Sequence, residues 1–188
     1  FSLEDMEYFL KKVKELLSDD EFNSIAYCVV QSGVGLNLQK MENTGTYSPK
    51  RLSDMISLCN QYNLLTKEHN SDYLEGETLK DRFSVGLDAM NIAPELGQIQ
   101  TKTYLEEIPD DLFEKFFTEC LKSKKWEKWV NNSFDPHKNK KQLILTCGHY
   151  IFSDSFVKDN FITEKTTEAV EKNIQKKVKS IIEAVRQK

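Results

Sequence analysis

The chain has 188 residues, 39% of them hydrophobic, and a formal net charge of −4; it can bury a core and is too apolar for a disordered polymer. The mildly acidic balance lays down no basic footprint for nucleic acid, and no apolar stretch approaches the ~20 residues of a membrane-spanning helix, so neither partner is expected. Four widely spaced cysteines, Cys28, Cys59, Cys120 and Cys147, form no C-x-x-C pair and read as reduced, buried thiols of a cytoplasmic protein.

Ser2 followed by Asp5 has the form of a capping box, and Leu3, Met6, Leu10, Val13 and Leu17 continue it as an amphipathic helix over 3–18. The run "SIAYCVVQSGVG" is β-branched and aromatic and is stopped by glycines. It predicts a strand over 24–32, buried on both faces as in a parallel sheet. Ser48-Pro49 opens a helix over 49–62, with Leu52, Met55, Ile56, Cys59 and Tyr62 on one side. A second strand is expected over 64–69, a short helix near 74–80, and a third strand over 84–91 within "FSVGLDAMNIAP". Helices alternating with strands across short connections indicate a parallel βα arrangement, and the fold class is α/β.

Beyond Pro94 the pattern becomes helical, with apolar stripes over 111–122, 141–152 and 166–186. Trp126 and Trp129, at helical spacing, are read as core anchors, and the polar stretch 131–141 as a loop. The run Lys122–Lys128 includes Glu127 and reads as a solvated helix face. Cys147 and His149 lie two residues apart, which on a helix points them to opposite sides, so no metal site is expected there. Three parallel strands alone leave two unpaired edges, a hazard for a soluble protein.

Taken in order, "VVQSGV", Tyr47-Ser-Pro49, "EHNSDYL" and "GHYIFSDSFVKDNF" resemble the tagatose-bisphosphate aldolase non-catalytic subunit family, from about Ile25 to the C-terminus. That family is a TIM barrel. The resemblance implies the C-terminal part of a (β/α)8 barrel, strands six to eight, with an α-helical extension. Residues 1–108 are then the barrel portion and 109–188 the extension. A chain that starts at Phe1 without Met is expected, on this reading, to lack the N-terminal barrel half.

In barrels of this kind the chemistry sits at the carboxyl ends of the strands. His69, Asp72 and Tyr73 match the family pattern, whereas Lys67 stands where the family has Glu and Glu68 where it has a small residue. The expected catalytic set is His69, Glu68 and Lys67. His69 suits a general acid/base or a metal ligand. Lys67 suits a sugar phosphate or a Schiff base, against a structural ion pair with Glu68 or Asp88. Gln31, Asp88, Asn91 and Glu95 are the expected substrate-binding residues. Gln31 ends its strand as a hydrogen-bond donor, and Asp88 lies in an apolar strand where an unpaired carboxylate is costly. Asn91 and Glu95 flank Ala93-Pro94 where the family has a glycine-containing phosphate loop. The implied partners are a sugar-phosphate substrate and a class II aldolase catalytic subunit, with a divalent metal such as zinc as the cofactor to test. The alternatives are a metal-dependent sugar epimerase or isomerase, and a non-catalytic scaffold.

Overall fold

The structure, a computed structural model, describes residues 2–186, which divide into two units. The first holds the chain up to Leu36, Asn43–Ile92 and the residues from Ala184 onward, and the second holds Asn37–Glu42 and Ala93–Glu183.

In the first unit α1 (Leu3–Leu16) begins on a complete capping box. The Ser2 hydroxyl accepts the Asp5 N–H at 3.0 Å, and the Asp5 carboxylate accepts the Ser2 N–H at 2.7 Å. Ser18 and Glu21 repeat the device for the short α2 (Asp19–Asn23). β1 (Tyr27–Val30) follows, then β2 (Val34–Asn37) and β3 (Glu42–Gly45), which pair with each other as a separate two-stranded sheet. α3 (Pro49–Gln61) starts at a Ser48 cap with proline in its first turn. β4 (Leu65–Glu68), α4 (Glu77–Val85) and β5 (Ala89–Met90) complete the unit.

β1, β4 and β5 form one parallel sheet in that order, with Tyr27 beside Leu65, and with Val30, Glu68 and Met90 in one register row. One face of this sheet is covered. Val30 and the strand-flanking Leu64 and Leu87 are buried in one core with Leu52, Met55, Ile56 and Cys59 of α3 and Met6 and Leu10 of α1. The opposite face is not covered. Tyr27, Val29 and Leu65, which alternate with the buried residues, are 45%, 38% and 46% exposed.

Two local features depart from the sequence reading. The strand expected over 84–91 shrinks to Ala89–Met90, because α4 runs on through Val85 and stops at Gly86, whose φ of 112° ends the helix in the left-handed region. The β2–β3 hairpin is additional; β2 is half-buried throughout and β3 only at Asn43 and Thr44, so neither shows the alternation that signals a strand.

The second unit is helical, with α5 (Pro94–Glu107), α6 (Asp110–Ser123), α7 (Lys140–Cys147), α8 (Ser155–Phe161) and α9 (Glu164–Arg186). A 3-10 turn, Gly148–Ile151, extends α7. Its core collects Tyr104, Phe116, Leu143, Ile144, Cys147 and Phe161, and the rings of Phe116 and Phe161 meet at 4.8 Å. The tryptophans are more peripheral than expected. Trp126 and Trp129 are half-buried about a single 3-10 turn, Glu127–Trp129, rather than on one continuing helix face. Left-handed Lys124 closes α6 before that face can extend.

Candidate functional site

The carboxyl ends of the three parallel strands lie side by side in the first unit. The backbone N–H of Asn91 donates to the Glu68 carbonyl at 2.9 Å, which carries the β4–β5 ladder one step beyond the assigned strands. Alternation then sets Gln31, His69 and Asn91 in the next register row on the uncovered face, above Val29, Lys67 and Ala89. All three are exposed. The uncovered face is thus apolar along the strands and polar at their carboxyl ends.

Each position is fixed by local structure. The Gln31 carbonyl accepts the Arg51 side chain at 2.8 Å, which ties the end of β1 to the start of α3. After β4 the chain turns through Asn70 and Tyr73, both in the left-handed region with φ near 60°. The Asn43 side-chain amide, from β3, donates to the carbonyls of Asn70 at 2.7 Å and Asp72 at 3.0 Å. The hairpin missed by the sequence reading therefore holds the loop that carries His69. Lys67, half-buried, extends its ammonium over the Tyr27 ring at 5.8 Å.

Glu68 and Asp88 have other engagements. Glu68 is fully buried on the helix-covered side, where Arg82 donates to it at 2.7 Å and the Ser32 N–H donates at 3.3 Å. The Arg82 guanidinium lies 4.0 Å from the centre of the Tyr47 ring, and burial raises the Tyr47 hydroxyl well above the usual tyrosine range, helped by the nearby Asp81 carboxylate. Asp81 acts there through its charge, since among the described residues the Tyr47 hydroxyl has no partner in hydrogen-bond geometry. Asp88, expected inside a strand, instead precedes β5 and is exposed. Its carboxylate accepts both the backbone N–H and the hydroxyl of Thr66 at 2.8 Å, stitching the end of the α4–β5 connection to β4. Glu95 lies in the first turn of α5 in the second unit, ion-paired with Lys177 at 2.6 Å.

The sequence reading did not single out Arg82, and it met Ser32 and Tyr47 only inside the motifs of the resemblance, with no role for either. The one available signal was an arginine three residues after Leu79, on the buried side of a helix. Among the described residues no group of three or more His, Cys, Asp or Glu comes together as a metal site. Chemically, the exposed row offers an imidazole able to give or take a proton and two carboxamides able to bind hydroxyls or phosphate oxygens, with an ammonium one row below.

A groove of about 570 Å³ wraps round the free edge of β1, walled mainly by Met6, Phe9, Leu10 and Val13 of α1 and by Phe22 and Ile25. Tyr27, Cys28, Val29 and Gln31 line its β1 side.

No protein-family model and no curated protein matches the chain. Among solved structures the fold is similar to the crystal structure of a probable tagatose 6 phosphate kinase from Sinorhizobium meliloti 1021, with a TM-score of 0.54 and 16% sequence identity. The similarity covers 83% of this chain but 41% of that one, so the chain spans about two-fifths of the length of the structure it resembles. At that identity the likeness establishes a shared α/β fold.

Proposed function

We propose that this chain is the C-terminal portion of a (β/α)8 barrel of carbohydrate metabolism, and that its open sheet face is part of a barrel interior where a sugar phosphate is handled. The observation that carries this reading is the uncovered parallel sheet face, apolar along the strands and ending in the row Gln31, His69 and Asn91. An interior face of a barrel has this character, with packed apolar layers below and polar chemistry at the carboxyl ends. The fold it shares with a structure described as a tagatose 6 phosphate kinase supports the sugar-phosphate theme. In this reading residues 1–108 supply the barrel portion, 109–188 the helical extension, and the remaining strands come from polypeptide outside these residues.

The roles follow from side-chain chemistry. His69 is the general acid/base, Gln31 and Asn91 bind substrate hydroxyls, and Lys67 pairs with a phosphate. Glu68 holds the strand end through Arg82, and Asp88 holds β4 through Thr66. The more specific assignment is to the non-catalytic subunit of a class II tagatose-bisphosphate aldolase. The test is His69→Ala in the protein carrying its complete barrel, assayed with a ketose bisphosphate alone and with an aldolase catalytic subunit. Loss of roughly 10²–10⁴ in the protein's own activity, with the fold intact, is expected for a general acid/base. Loss only of the partner aldolase's stability assigns the accessory role. Unchanged behaviour in both assays removes His69 from the function.

A further inference from the structure

Lys128, on the 3-10 turn Glu127–Trp129 of the second unit, is exposed, yet its ammonium lies over two aromatic faces at once. The centre of the Trp129 ring is 4.8 Å away and that of the Tyr150 ring 5.2 Å. Among the described residues Lys128 has no ion-pair partner, and the two rings make no contact with each other. The ammonium therefore fills a gap between them. Lys14 provides the contrast. It lies over Phe22 and Tyr62 at 5.7 and 5.9 Å, but those rings meet each other at 6.3 Å and leave no space between them.

The Tyr150 wall is held from behind. His149 backs it with ring centres 4.1 Å apart, and His149 is itself seated against Gly97 of α5, where an added Cβ would come within 2.7 Å of the His149 Cβ. Trp129 is half-buried, and its indole N–H is buried with no hydrogen-bond partner among the described residues.

We propose that Trp129 and Tyr150 form an aromatic cage for a small quaternary ammonium solute of the choline type, with Lys128 as a built-in occupant that the solute displaces. The chemistry favours this exchange. A lysine ammonium is compact and strongly hydrated, so it gives up N–H hydration to sit on the rings. A quaternary ammonium has no N–H to leave unpaired, and its methyl groups carry the charge directly against the ring faces, which is why aromatic walls select it. Burial, assisted by the Lys128 charge, lowers the His149 pKa to about 4, so at neutral pH no imidazolium opposes a cation in the cage. The cage lies wholly within the helical unit, and the proposal is independent of the sugar-phosphate reading of the sheet.

The test is a choline titration of the 188-residue chain at constant ionic strength, followed by the two tryptophan indole N–H signals in NMR spectra. The Trp129 signal should shift saturably, with half-saturation at about 1–10 mM. The Trp126 signal, whose N–H donates to the Leu121 carbonyl at 3.3 Å, should stay in place as the internal control. Lys128→Ala, at an exposed position, should tighten choline binding about three- to sixfold by removing the competitor. Tyr150→Leu, which deletes one wall and leaves the reporter, should weaken it at least about fivefold. The uncharged carbon analogue of choline, with a tert-butyl group in place of the trimethylammonium, should leave the Trp129 signal unmoved. No saturable shift at Trp129, an equal shift at Trp126, the same response to the uncharged analogue, or an affinity that Lys128→Ala fails to raise would each overturn the proposal. The unsubstituted chain and Lys128→Ala decide the matter even if Tyr150→Leu fails to fold.

Discussion

Glu68 shows how one residue's role turns on a partner far away in sequence. From the strand alone it is a carboxylate beside a histidine at a polar strand end. Alternation places it on the helix-covered face, where Arg82, 1% exposed, neutralises it. Arg82 also donates to the Thr78 carbonyl and lies on the Tyr47 ring, so little of its guanidinium meets solvent. A charge this deep is tolerable only while paired. Arg82→Leu, which strands the carboxylate, should cost about 3–5 kcal/mol in denaturant unfolding, and adding Glu68→Met should restore much of it. A single-substitution cost below about 1 kcal/mol would show that the buried Glu68 carboxyl does not depend on Arg82. Nothing in the local sequence of β4 announces this pair, because half of it arrives from α4.

Among the elements, those with an apolar stripe were legible and those whose buried face is polar were not. α1, α3, α6 and α9 each follow spacings of three and four, and Ser2 and Ser48 mark the starts of the first two. Of α5 only the start at Pro94 was legible, and its length hid because its buried side carries Gln98, Thr101 and Thr103. The two threonine hydroxyls return to the carbonyls of Gly97 and Ile99, at 2.8 and 2.9 Å, and the Gln98 amide donates to the carbonyls of Leu38 and Leu145. Gly97 also lets α5 approach the 3-10 turn after α7, since a Cβ there would collide with His149. The tilted rings of His149 and Tyr150 meet at 4.1 Å, and among the described residues neither of the buried His149 ring nitrogens has a hydrogen-bond partner. Burial, assisted by the Lys128 charge, lowers its pKa to about 4. Between about pH 6.5 and 4 the unfolded chain therefore binds a proton that the folded chain refuses. The stability that His149 contributes is complete above about pH 6.5 and is lost as the pH falls toward 4. Urea midpoints at pH 7 and pH 5 should differ more for the unsubstituted chain than for His149→Phe. Equal differences would show that the imidazole accepts its proton in the folded state.

For the whole molecule, the candidate site was legible as a trend from apolar to polar along each strand, but its setting was not. The sequence reading expected the strand over 24–32 to be buried on both faces. The structure covers one face only, and the other leaves Tyr27, Val29 and Leu65 open beside the unpaired edge of β1. An apolar face next to a free edge is a template for further pairing, and a net charge of −4 offers little repulsion against it. The 188-residue chain should therefore associate as its concentration rises, as light scattering coupled to size exclusion would report. Val29→Lys with Leu65→Thr, on the open face and away from the buried core, should shift it toward monomer. A chain that stays monomeric at every concentration would mean that this face is covered in solution.

The same sheet also sets the tempo of folding. The helices that begin at Ser2, Ser18 and Ser48 close on contacts within a turn or two, so they can form as soon as the chain is released from denaturant. The pairing of Tyr27 with Leu65 must wait for a hairpin and a whole helix to be threaded between the two strands. Non-local parallel pairing of this kind is slow, so helical content should appear well before protection of the β1 and β4 amides against hydrogen exchange.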